Sequence, residues 1–110
     1  MTSGMRTFVY PVTDLAKAKA LWRAFLGVEP YADAPYYVGF RVGDQEVGLD
    51  PHGHKDGPRA YWQVADVPAA IETLVAAGAV VYEEARDVGG GKLIASVKDA
   101  DGNVIALASA

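Results

Sequence analysis

The chain contains no cysteine. That absence removes disulfide staples, thiolate metal sites and cysteine nucleophiles together, and it fits a reducing compartment. No apolar run approaches the roughly 18 residues that span a bilayer, and no charged n-region leading into an apolar h-region opens the chain. A cytoplasmic protein with no membrane partner is expected. Basic residues are in deficit, with ten Lys and Arg against fourteen Asp and Glu and a net charge of −4 with both histidines neutral. A sequence-independent nucleic-acid binder carries a basic stripe for phosphates, and none is visible, so no nucleic-acid partner is expected.

What is present is the balance of an ordinary globular domain. At 110 residues, 51% hydrophobic and 22% charged, one core is the expected outcome. The chain also repeats itself. Val12-Thr13-Asp14-Leu15 returns as Val64-Ala65-Asp66-Val67, each preceded by a short aromatic and β-branched run and followed by a helical pattern ending at glycine, Gly27 or Gly78. Asp14 and Asp66 stand at N-cap positions, and Pro68 falls in a first turn, where a missing N–H is harmless. Leu15, Ala18, Leu21, Trp22, Phe25 and Leu26 are expected on one face of the first helix, and Val67, Ala70, Ile71, Leu74 and Val75 on one face of the second. Trp22 and Trp62 are expected in the core on the helix side.

The remaining segments read as strands. Tyr36 to Val42 and Gln45 to Asp50 form a hairpin across Gly43-Asp44, and Lys92 to Lys98 and Val104 to Ala108 form another across residues 99–103. Val80 to Glu83 is an early strand of the second half, and a counterpart is expected around Glu29 to Ala32. The fold class is therefore α+β: two βαβββ modules, about 5–50 and 59–110, with a Gly-, Pro- and charge-rich link at 51–58. A half of about 50 residues leaves one face of its sheet open. Two are expected to join as a curved mixed sheet or partial barrel around a ligand cup, with the helices outside.

The paired helix starts, Phe25-Leu26-Gly27, Ala76-Ala77-Gly78-Ala79 and the late run Lys98-Asp99-Ala100-Asp101-Gly102-Asn103-Val104-Ile105-Ala106-Leu107 resemble the vicinal oxygen chelate superfamily over residues 6–108. That superfamily includes glyoxalase I, extradiol dioxygenases, fosfomycin resistance enzymes and bleomycin resistance proteins. In its metal-dependent members each half supplies a His or Gln seven residues before the helix-start Asp, and a Glu on its last strand. The resemblance puts these positions at Thr7, Gly48, Arg59 and Ala106, none of which is an ordinary ligand for a divalent ion. It therefore implies no metal at the usual place, and no cofactor is expected. His52-Gly53-His54, with Asp50 and Asp56 near it, is a plausible donor cluster, but it lies in the polar link, where solvated histidines are the plainer reading. Gly89-Gly90-Gly91 lacks the Lys-Ser/Thr and the following helix of a phosphate loop, leaving a loop over the cup mouth or a plain hairpin connection.

Strand alternation then selects the cup lining. With Phe8, Tyr10 and Val12 under the first helix, Thr7, Val9 and Pro11 face the cup; Arg59, Tyr61 and Gln63 do so in the second half. The hairpins add Glu46, Gly48 and Asp50, and Val104, Ala106 and Ala108, while Tyr37, Gly39 and Arg41 join if their parity matches. The candidate ligand-binding set is Thr7, Val9, Glu46, Asp50, Arg59, Tyr61, Gln63 and Ala106. Few convergent polar groups in an apolar concavity make a small-molecule site. Arg59 can pair with an anionic or carbonyl group and Tyr61 can stack on a planar ligand, or Arg59 pairs with Glu46 or Asp50 and Tyr61 fills core. Glu46 or Asp50 could serve as a base if buried, but no nucleophile has an activating sequence context. The expected function is metal-free binding of a small organic molecule, an antibiotic or a metabolite, by a homodimer. Two alternatives stand beside it: a lyase, isomerase or dioxygenase of the same superfamily, and a non-catalytic interaction module.

Overall fold

In the computed structural model, which describes residues 2–53 and 57–109, each half of the chain folds as strand, helix and three strands. The first half carries β1 (Thr2–Pro11), α1 (Leu15–Leu26), β2 (Ala32–Ala34), β3 (Tyr37–Val42) and β4 (Gln45–Asp50); the second carries β5 (Arg59–Val64), α2 (Val67–Ala76), β6 (Val80–Asp87), β7 (Leu93–Lys98) and β8 (Val104–Ala108). Two compact units result, residues 6–59 and residues 60–109 with 2–5.

Pairing is the same in both. Strand order is β2-β3-β4-β1 in one unit and β6-β7-β8-β5 in the other, with the outer pairs antiparallel and β1–β4 and β5–β8 parallel. A parallel pair needs a crossover. Here the crossover runs through the helix and the two strands after it.

The helix ends follow their sequence signals. Asp14 accepts from the Lys17 N–H at 3.1 Å and Asp66 from the Ala69 N–H at 3.0 Å. Gly27 closes α1 in the left-handed region, its N–H on the Arg23 carbonyl. At the end of α2 the cap is Ala77 and Gly78 follows it: the Gly78 N–H bonds the Val75 carbonyl and the Ala79 N–H bonds the Leu74 carbonyl, a Schellman arrangement.

The helix faces are narrower than their apolar spacing implied. Leu15, Ala18, Trp22 and Leu26 pack on Val38, Phe40 and Leu49, with Tyr10, Val12 and Val47. Leu21 and Phe25 instead stay 67% and 79% exposed. With about 100° between successive residues, Leu21 lies a quarter turn from Trp22, and Phe25 on the same flank reaches only the edge of the Trp22 ring, centroids 6.1 Å apart. In the second unit Trp62, Ile71, Leu74, Leu93 and Ile105 surround Val64, Val67, Ala70, Ala95 and Leu107, while Val75 is left 44% exposed. Both tryptophans are thus on the helix side.

Four strands differ in their boundaries from the sequence reading. β2 lies at Ala32–Ala34 rather than around residues 29–32, because the Tyr31 N–H already bonds the Gly39 carbonyl and pairing with β3 continues from there. β3 and β7 each begin one residue later, at Tyr37 and Leu93. β6 runs on to Asp87, with register shifts between Val81 and Glu83 and between Glu83 and Arg86 that let it follow β7 for eight residues. Gly89 to Gly91 form a hydrogen-bonded hairpin connection, with the Val88 N–H on the Lys92 carbonyl and the Lys92 N–H on that of Gly89. No helix of the described residues is long and apolar enough to cross a membrane.

Replacing either cap, Asp14→Ala or Asp66→Ala, is expected to cost about 1 kcal/mol in denaturant unfolding, since it orphans a first-turn N–H. The β7–β8 turn makes a second prediction. Asp99 accepts from the Asn103 side chain and from the N–H groups of Asn103 and Asp101, and these bonds, the Asn103 side chain first, hold its carboxyl below the ordinary carboxylate range. A depressed folded-state value stabilises above the unfolded one and is lost as pH falls through the folded value. The melting penalty of Asp99→Ala should therefore be largest near neutrality and shrink in acid; a pH-independent penalty would contradict this origin.

Candidate functional site

The parallel register of β1 and β4 sets Thr7 beside Glu46, Val9 beside Gly48 and Pro11 beside Asp50. Neighbours in register share a face. Tyr10 and Val47 pack under α1, so this second set lies on the opposite face. The β3–β4 register places Gly39 beside Gly48 and Arg41 beside Glu46, which settles the parity of β3: Tyr37, Gly39 and Arg41 belong to the same face.

On that face the two glycines are covered by two tyrosines. A Cβ on Gly48 would fall inside the Tyr37 hydroxyl, and one on Gly39 would come within 2.9 Å of the Tyr31 ring. Glycine is required at both positions by close approach. The hydroxyls then converge on one carboxylate. Tyr31 Oη lies 3.2 Å and Thr7 Oγ1 3.4 Å from Glu46 Oε2, while Arg41 Nε donates to Oε1 at 3.0 Å. The Tyr37 hydroxyl is close enough to Tyr31 and Glu46 to feel the charge of both. The Arg41 guanidinium also stacks 4.0 Å from the Tyr31 ring centroid, a cation–π contact that fixes its plane.

Electrostatics reinforce this arrangement. Burial, followed by the negative charge that Tyr31 would carry if ionised and by that of Glu46, pushes the Tyr37 hydroxyl well above the ordinary tyrosine range. Burial, then the Glu46 charge and the bond to it, raises Tyr31 as well. Both phenols keep their protons through the neutral range.

Of the residues selected from sequence, Thr7, Val9, Glu46 and Asp50 are brought together here. Asp50 turns its carboxylate back to the His52 N–H at 2.8 Å, and His54 and Asp56 lie outside the described residues. In the second unit Tyr61 pairs with Ala106 and Gln63 with Ala108, opposite the face that Trp62 and Leu107 turn to α2. Arg59 begins the same strand with the same parity and is 6% exposed, engaged by protein groups as a buried guanidinium must be. Sequence reasoning missed two features. Tyr31 lies outside any strand and comes to the face through its bond to Gly39. Ser96, fully buried beside Ala106, donates to Glu83 at 2.6 Å.

With this geometry in place, the comparisons are direct. The model of the Glyoxalase/Bleomycin resistance protein/Dioxygenase superfamily matches residues 4–107. The chain belongs to this superfamily. No curated protein sequence matches it. Solved structures share the fold at low identity: methylmalonyl-CoA epimerase from Mycobacterium tuberculosis (21% identity, 98% of this chain and 88% of that one, TM-score 0.77) and the Streptomyces coelicolor epimerase in complex with 2-nitronate-propionyl-CoA (17%, 100% and 99%, TM-score 0.78). A Legionella pneumophila protein described as an NAD-dependent benzaldehyde dehydrogenase is also similar (15%, 94% and 96%, TM-score 0.74).

The metal that the superfamily resemblance implies does not fit the residues at its positions. Thr7 donates toward Glu46, Arg59 is cationic, and Ala106 offers no donor. At position 48 even the space for a ligand side chain is taken by Tyr37. Among the described residues, no three His, Asp or Glu gather as a metal-binding group.

Gly48→Ala is expected to displace Tyr37 and cost roughly 1–3 kcal/mol, the usual range for overpacking. In a Tyr37→Ala background the same change should be nearly neutral, a coupling that a double-mutant cycle reads directly. Additive effects would show that the ring does not occupy the space beside residue 48.

Proposed function

We propose that the protein binds a small organic molecule without a metal, through the sheet faces opposite α1 and α2. Tyr37 over Gly48 is the observation that carries this reading. It substitutes an aromatic and hydroxyl surface for a metal ligand at one of the superfamily's four ligand positions. Thr7, Val9, Glu46 and Asp50 contribute from the first module and Arg59, Tyr61, Gln63 and Ala106 from the second. The fitting role is sequestration of an antibiotic or metabolite in the cytoplasm, by a homodimer of single-domain chains.

An isomerase is the second reading, favoured by the structural likeness to two epimerases. Glu46 is the side chain that could move a proton. Its oxygens already accept from Thr7, Tyr31 and Arg41, which makes it a better anchor than base.

Screening metabolites and aromatic antibiotics by amide chemical shifts should find a saturable ligand that moves β1, β4 and β5, with affinity unchanged after dialysis against a chelator. Loss of binding on chelation would contradict metal-free recognition. Racemisation of methylmalonyl-CoA by the purified chain would instead establish the isomerase.

A further inference from the structure

The two modules differ in what lies beneath their helices. Counted from the caps Asp14 and Asp66, Trp22 and Leu74 hold the same helix position, and Tyr10 and Trp62 the same position on the preceding strand. In the first module the two aromatics meet, with the Tyr10 and Trp22 ring centroids 5.0 Å apart. In the second a leucine stands where the helix ring would be, and a cavity of about 160 Å³ is found there, lined by Trp62, Ala70, Leu74, Ile105 and Leu107 among others. Interiors are close-packed, with few voids larger than a water molecule. A space of this size beneath a helix is therefore room for something. Two threonines also reach it, but their hydroxyl hydrogens are spent on the backbone: Thr2 donates to the Gln63 carbonyl at 2.6 Å and Thr73 to that of Ala69 at 3.1 Å. No charged side chain is among the described residues that line it.

We propose that this cavity is a ligand site of its own, for an uncharged aromatic ring or a molecule that ends in one. The ring packs against Trp62 as Trp22 packs against Tyr10 in the first module. Size and chemistry both fit. Apolar cavities of roughly 150 Å³ take up benzene, whereas an ordered water needs two to four polar partners that these walls do not offer. The cavity is open on one side, so entry needs no displacement of α2. It is separate from the sheet face considered above: Trp62 and Leu107 turn to α2, and Tyr61, Gln63 and Ala106 alternate with them on the other side of the same strands.

Benzene is the probe. Titrated into the full chain, it should shift the amides of Ala70, Leu74 and Leu107 saturably and give intermolecular cross-peaks to the methyl groups of Leu74, Ile105 and Leu107. Leu74→Trp supplies the missing ring from within, as the first module does. Both signals should then be lost, while the melting temperature holds or rises as in other cavity-filling changes. Thr73→Phe, at an exposed helix position on the lining, fills the same space if Leu74→Trp does not fold, and should abolish the signals too. Thr73→Val keeps the shape and removes only the hydroxyl, so binding should be unchanged. Absence of these cross-peaks in the wild-type chain, their persistence in a folded Leu74→Trp chain, or their loss in Thr73→Val overturns the inference. So does a benzene affinity that falls as protein concentration rises, which would assign the cavity to a side chain of a second copy.

Discussion

Parallel pairing of β1 with β4 puts Val9 beside Gly48, and from that register the rest of the site follows. The side-chain period of a strand is two, so fixing one pair fixes which face every neighbour takes. Phe40, Leu49 and Val38 are committed to the core under α1. The alternate residues, Thr7, Gly39, Arg41, Glu46 and Gly48, are left on the other face. A slip by one residue would bury Glu46 under the helix and expose Leu49, so the hydrophobic core itself guarantees the geometry of the polar cluster.

What occupies that face is set by size. Two adjacent glycines make a shallow depression in the sheet, and two tyrosines fill it. The same substitution that leaves position 48 without a ligand atom creates the room for a phenol. Glycine at position 48 thus both offers no ligand atom and makes the space that the Tyr37 ring occupies. Within a superfamily whose fold accommodates many chemistries, the difference lies in a few side chains on an unchanged scaffold.

Much of this was legible in the sequence. The twofold recurrence of Val-x-Asp gave both helix starts, and alternation along β1, β4, β5 and β8 gave the residues opposite the helices, because caps and strand parity are local properties. Tyr31 was not legible, since it reaches the site through a backbone bond to Gly39 that depends on the turn geometry between α1 and β2. The available signal was the pair of glycines across the β3–β4 hairpin with tyrosines nearby at 31, 36 and 37. Leu21, Phe25 and Val75 misled because an apolar residue on the flank of a helix matches the spacing without reaching the sheet.

The position of the Tyr37 hydroxyl is the point on which the account stands, and NMR of the hydroxyl protons in tyrosine-labelled protein measures it most directly. The account predicts a slowly exchanging Tyr37 hydroxyl proton with cross-peaks to the Gly48 α-protons and to the Tyr31 ring, both lost in Tyr37→Phe. A Tyr37 hydroxyl that exchanges as fast as a solvated phenol, with no contact to Gly48, would contradict it.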